Sequence, residues 1–200
     1  TDRFDIVHGS HLCGTFDDDG NFKENELEKN KNLLVWKGEL FGHDVFHKYA
    51  YSDEISCILW SKLIKRDLYE KAFENITFSN IAFNGDFLLY YFISLYAESY
   101  KGLSDIVYLY RVDSGITSSK TIVSMDSWER KCAVSGVISI INDFVDKNPS
   151  LLSKKEKSII PSYSYTFILD LLGDFYYKIA PELRQKAYEM LCDYWGEKNV

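Results

Sequence analysis

What this sequence lacks already narrows its class. No stretch approaches the ~18–20 consecutive apolar residues that a membrane-spanning helix needs. The N-terminus, Thr1-Asp2-Arg3-Phe4-Asp5, is polar and carries no signal-peptide pattern. An initiator Met is also missing, so the chain reads as a piece of something longer, and the missing part is expected to hold half of any chemistry. Cysteine is sparse: Cys13, Cys57, Cys132 and Cys192 lie far apart and form no CxxC pair. They read as buried thiols of a reducing compartment, not as a disulfide framework. Positive charge is in deficit, with a net charge of −7, which argues against a nucleic-acid surface. Proline is rare, three in 200 residues, and no internal repeat or low-complexity tract occurs.

Aromatic residues, in contrast, are dense: 15 Tyr, 13 Phe and 4 Trp in a chain that is 46% hydrophobic, enough for a real core. The length fits one medium domain, or one and a half small ones. Phe4 to Phe16 reads as a strand or two, and Asp17-Asp18-Asp19-Gly20-Asn21 as a turn. Lys23 to Asn32 is a charged, solvated stretch. Val35 to Tyr49 is ambiguous, with a short helix as one reading of His43 to Tyr49. Ser56 to Ile64 reads as a short buried strand, and Lys65 to Phe73 as a helix.

The organising stretch is Phe83-Asn84-Gly85-Asp86-Phe87-Leu88-Leu89-Tyr90-Tyr91-Phe92, where a turn runs into a long apolar segment. Leu88, Tyr91, Phe92, Leu95 and Tyr96 repeat at helical spacing, which predicts a helix to about Tyr100 with Gly102 as its stop. Asp86 falls in its first turn, where backbone N–H groups and the helix dipole favour a carboxylate. There it is either a plain cap or a fixed base beside a cleft. Asp105 to Val112 is strongly strand-like, and Asp113 to Lys120 is a polar loop.

Beyond residue 121 the pattern becomes helical. Asp126 with Glu129 predicts a capped helix to about Lys147, and Ser153 with Glu156 a capping box. Pro161 should kink or restart that helix, and Pro181 should open a last amphipathic helix to about Tyr194. Tyr163, Tyr165, Phe167, Phe175, Tyr176 and Tyr177 read mainly as core; any of them left exposed would point to a partner or a membrane surface.

Three segments, in order, resemble family-two glycosyltransferases. Leu59-Trp60-Ser61-Lys62-Leu63-Ile64-Lys65-Arg66-Asp67-Leu68 is similar to their W-N-K-L-Y-R-R-E-L stretch, with Ser61 in place of Asn. Gly85-Asp86-Phe87-Leu88-Leu89 resembles the E-D-x-x-F helix start, with Gly85 in place of Glu. Tyr108-Leu109-Tyr110-Arg111-Val112-Asp113-Ser114-Gly115-Ile116-Thr117 resembles the Y-Y-Y-R-x-x-x-G-S-I-T segment that closes the catalytic core, with Ser-Gly in reverse order.

The resemblance covers about residues 4–120. It implies an α/β fold: a partial glycosyltransferase-A-like core over 1–120, carrying an all-helical extension over 121–200. It further implies a transferase for a bacterial surface or capsular polysaccharide, in the cytoplasm at or near the inner face of the membrane, with peripheral membrane association as one option. The nucleotide-sugar donor and a divalent Mn or Mg would be held by an upstream half, so this chain alone is expected to be inactive and to hold no cofactor. By the same carry-over, Asp86 is the base that deprotonates a glycan acceptor, Trp60, Lys62, Arg66 and Arg111 contact acceptor or phosphate, and Asp113 contacts metal.

Bland readings stand beside these. Asp17-Asp18-Asp19 reads as a hairpin turn before it reads as a metal motif. His43 and His47 have zinc-compatible spacing but no third ligand, leaving a metal-dependent hydrolase as a distant rival. His8 and His11 would point to opposite faces of a strand. Trp60 is more often core, and Cys57 a core thiol. A non-catalytic helical interaction module is the main alternative.

Overall fold

The computed structural model describes residues 3–25, 34–76, 81, 83–112 and 121–200. It is a mixed α/β structure that divides into two compact units, Thr1–Asn75 with Leu89–Ser118, and Ile76–Leu88 with Ser119–Val200.

The first unit is built on β1, Ile6–Phe16. Its central partner is β5, Ser99–Arg111, which runs parallel to it from Ile6↔Tyr100 to Gly14↔Arg111. On the other edge of β1 two short antiparallel strands take turns: β4, Lys62–Ile64, pairs with Ile6 to His8, and β2, Phe22–Glu24, with Gly14 to Phe16. Strand β3, Gly38–Phe41, pairs antiparallel with Ser99 to Gly102 of β5. The result is a mixed five-stranded sheet among the described residues. The Asp17–Asn21 turn forms as expected. Asp17 Oδ1 accepts from the Asp19 and Asn21 amides at 3.1 and 2.8 Å, so this carboxylate is spent on closing the hairpin.

Helices α1, Asp44–Ala50, and α2, Arg66–Asn75, flank the strands in sequence. Helix α3, Gly85–Tyr96, supplies most of the aromatic core from its second turn onward. Tyr90, Tyr91, Phe92 and Ile93 are fully buried with Phe46, Ile55 and Tyr100. Tyr91 meets Phe46 edge-on at 5.3 Å, and Tyr90 meets Tyr49 edge-on at 4.9 Å, a favourable geometry for aromatic quadrupoles.

Gly102 does not stop α3. The helix ends at Tyr96 and the chain is already in β5 by Ser99. Gly102 is needed for close approach: a Cβ there would lie 1.6 Å from the Trp36 carbonyl oxygen. The expected strand over Ser56 to Ile64 shrinks to Lys62–Ile64, because the Lys62 ammonium gathers residues 56–61 into a loop. It donates to Ser56 O at 2.8 Å and to Ile58 O, and sits 4.5 Å above the Tyr90 ring. Where the three pieces of this unit meet, Asp5 acts as a clasp. Its carboxylate pairs with Lys65 at 2.9 Å and accepts from the Glu98 amide at 2.8 Å, while its own amide donates to Ser99 Oγ at 3.0 Å.

The second unit is helical: α4, Met125–Cys132; α5, Ser135–Lys147; α6, Lys154–Lys157; α7, Ile160–Lys178; a 3₁₀ turn, Pro181–Leu183; and α8, Arg184–Trp195. Ser124, not Asp126, caps α4 through the Ser127 amide, and the helix expected to reach Lys147 breaks between Cys132 and Ser135. The Ser153–Glu156 capping box forms, and Pro161 restarts the chain as α7. Trp128 is buried and donates from Nε1 to Ala187 O at 2.8 Å, tying α4 to α8. Asp174 of α7 pairs with Lys131 at 2.7 Å and Lys178 at 2.6 Å. Of the tyrosines expected in this core, Tyr165, Tyr176 and Tyr177 are exposed instead. Among the described residues, no helix is long and apolar enough to cross a membrane.

Candidate functional site

The turn ahead of α3 is set by Asn84, whose φ of 58° lies in the left-handed region that asparagine tolerates. Asn84 O then accepts from Leu88 N at 3.1 Å, which starts the helix and places Asp86 in its first turn. Asp86 is exposed. It is the acidic residue of the helix's first turn, beside the free amide end.

In the first unit, a pocket of about 290 Å³ opens on the β4–β1–β5 face. Its walls are mostly apolar, from Val7, Leu63, Leu103 and Val107, with Trp60, Ser61 and Lys62 adding the polar and aromatic part. Gly9 also lines it. A Cβ there would lie 2.3 Å from Val107 Cγ2, so the two strands meet only because Gly9 has no side chain. Trp60 stacks on Tyr108 at 4.6 Å and on Tyr110 at 4.9 Å, and His11 meets it edge-on at 4.9 Å. Two residues apart on one strand, the tyrosines present the same face to the indole.

A buried polar group lies on the same two strands. Tyr100 Oη donates to Trp36 O at 3.2 Å and lies 2.9 Å from His8 Nδ1. A phenol has one proton, so Nδ1 carries the hydrogen and donates to Oη. That leaves His8 Nε2 as a buried lone pair without a protein partner, and His11 Nδ1 and Ser61 Oγ are also buried with no hydrogen-bond partner. Burial pushes the His8 imidazole down to about 2, with Lys62, His11 and Lys37 adding to the effect, so His8 is neutral at any physiological pH. His11 is shifted down as well, by burial first and then by Lys37 and Lys62. The Lys37 ammonium donates to Leu103 O at 2.7 Å and to Ser10 Oγ.

Of the residues singled out by the sequence, Trp60 and Lys62 come together in this pocket. The Lys62 ammonium, however, is engaged by the loop carbonyls. Arg66 is elsewhere, on the exposed face of α2 with Glu70 at 2.7 Å. Arg111 ends β5 opposite Gly14 and is exposed. Asp86 is not among the pocket's lining residues. Asp113 lies outside the described residues, as do the rest of the polar loop and 26–33 of the charged stretch. Among the described residues, no three His, Cys, Asp or Glu side chains are grouped to hold a metal. His43 and His47 instead pack against Phe46 and Tyr51.

The sequence reading missed the His8–Tyr100–Trp36 chain. Its one signal was the pair of glycines, Gly9 and Gly102, that lets these strands close up. Compared with known proteins, the chain matches no family model, no curated protein and no solved structure.

Proposed function

We propose that this chain is the acceptor side of a glycosyltransferase of the glycosyltransferase-A type, with Asp86 as its base. The single observation that carries the reading is the exposed carboxylate of Asp86, held in the first turn of α3 by the left-handed turn at Asn84. In this reading Asp86 takes the proton of an acceptor hydroxyl as that oxygen attacks the anomeric carbon of a nucleotide sugar. The bond from that carbon to the diphosphate breaks on the opposite side, the nucleoside diphosphate leaves with the electron pair, and the configuration inverts. The donor half belongs to the longer parent polypeptide, and the glycan to a bacterial surface polysaccharide.

Two further observations support the reading. Within the described residues, the first resembling segment runs through Trp60 and β4, the second heads α3, and Tyr108 to Arg111 of the third lie at the end of β5. Trp60 lines a pocket with a largely apolar wall, which suits contact with the apolar face of a sugar ring. The test is Asp86→Asn in the parent enzyme. Removing a positioned base should lower kcat by roughly 10²–10⁴-fold while leaving the donor KM and the thermal melt in place. Transfer activity within a few-fold of the unmodified enzyme would reduce Asp86 to a helix cap and end the proposal.

A further inference from the structure

Strand register decides which side chains reach the pocket of the first unit. Gly9 N donates to Ser61 O at 2.9 Å, which carries the β1–β4 pairing one step beyond His8 and Lys62. Side chains alternate across a strand, so Val7, Ser61 and Leu63 stand on the pocket side and His8 and Lys62 on the other. Among the described lining residues Lys62 is the one that carries a charge, and its ammonium is engaged by the Ser56 and Ile58 carbonyls. The other walls are aliphatic. Leu63 and Val107, 64% and 55% exposed, carry that apolar surface out to the mouth. Trp60 is held in place by Tyr108, Tyr110 and His11, so its side of the pocket is formed before any guest arrives.

One polar atom interrupts this lining. Ser61 is 7% exposed, and its Oγ has no hydrogen-bond partner. A buried hydroxyl left unpaired is unfavourable, and a guest in the pocket can pair with this one. A charged guest would find no counter-ion on this side of the strands. An aliphatic guest with a single hydroxyl matches both the walls and the one polar atom. Size sets its length. An apolar cavity of ~150 Å³ holds one benzene. By that measure the 290 Å³ here, open at one side, admits roughly eight to ten carbons.

We propose that this pocket is a binding site for a neutral aliphatic alcohol, with its chain against Val7, Leu103 and Val107 and its hydroxyl on Ser61 Oγ. The proposal goes beyond the reading of Asp86 as a base and does not rest on it.

The test is titration of the 200-residue chain with the primary alcohols butanol, hexanol and octanol, followed in proton–nitrogen correlation spectra by the amides of Gly9 and Leu63 and the indole of Trp60. Octanol should shift these signals saturably, with a Kd on the order of 0.1–1 mM. Affinity should rise about three- to four-fold with each added CH₂. Ser61→Ala should weaken hexanol about 3–10-fold, whereas chlorohexane, a chain of the same length without a hydroxyl, should be indifferent to the change. Val107→Phe narrows the mouth and should weaken every guest at least ~10-fold, with an unchanged far-UV spectrum because the side chain is half exposed. No saturable shift at Gly9, Leu63 and Trp60, affinity that does not grow with chain length, or a hexanol affinity indifferent to either substitution would each overturn the proposal. So would tighter binding of methyl β-glucoside than of hexanol, which would give the pocket to a sugar ring.

Discussion

Replacing Gly102 by alanine is the sharpest probe of the sheet. The added Cβ would stand 1.6 Å from the Trp36 carbonyl oxygen, which is backbone and cannot rotate away. A carbon–oxygen contact relaxes at about 3.3 Å, so the lead-in to β3 must retreat by roughly 1.7 Å. That movement breaks the Tyr100 Oη–Trp36 O hydrogen bond, now 3.2 Å, and pulls Gly38 away from its partner Gly102. A stranded carbonyl costs about 1–3 kcal/mol, and the lost pairing and packing add about 2 more, so a destabilisation of about 3–5 kcal/mol is expected. Gly20→Ala is the control. Gly20 has a φ of 81° and nothing within 4 Å of its Cβ position, so it should cost only the left-handed penalty of about 1 kcal/mol. Urea unfolding followed by tryptophan fluorescence measures both. If Gly102→Ala proves no worse than Gly20→Ala, the close approach of β3 to β5 is not what holds this part of the sheet.

Two further substitutions test the joints of each unit. At Asp5, burial alone would raise the carboxyl pKa, but the Lys65 ammonium and the Glu98 amide outweigh it and bring the folded value below 3.8. The stabilisation is therefore present above the unfolded pKa and fades as pH falls through the folded one. Asp5→Asn should cost about 1 kcal/mol at pH 7 after solvent screening, with the gap to the wild type closing toward pH 3 in paired thermal melts. A gap independent of pH would remove the ion pair from the account. In the second unit, Trp128→Phe strips the donor from Ala187 O and leaves a void between α4 and α8. A loss of about 2–3 kcal/mol is expected by denaturant titration, and no loss would mean that the indole is not the link.

Much of the fold could be read in advance wherever local chemistry decides it. Serine three residues before glutamate closes a capping box at Ser153, and Asp-Gly closes the turn at Gly20, because both are contacts within a few residues. The start of α3 was legible for the same reason. Its end was not. Gly102 looks like a helix stop in sequence, and only the distant approach of Trp36 shows that it serves a strand crossing. The break between α4 and α5 has no glycine or proline to announce it. At the candidate site, Trp60 and Lys62 were singled out by their pattern, but the use of the Lys62 ammonium on Ser56 and Ile58 carbonyls depends on how a loop folds back. The His8–Tyr100 pair joins residues far apart in sequence, and alternation along β1 gives no hint of it.

The innermost pairing of the sheet has a consequence for how this molecule is made. Ile6 is matched with Tyr100 and Gly14 with Arg111, so β1 must wait for a neighbour made much later in the chain. While the ribosome adds the intervening residues, β1 can close a hairpin with β2 on one side, yet its other edge stays bare. Closing so large a loop is slow. Nascent chains that stall before residue 111 would expose an unsatisfied strand, a target for chaperones and a seed for aggregates.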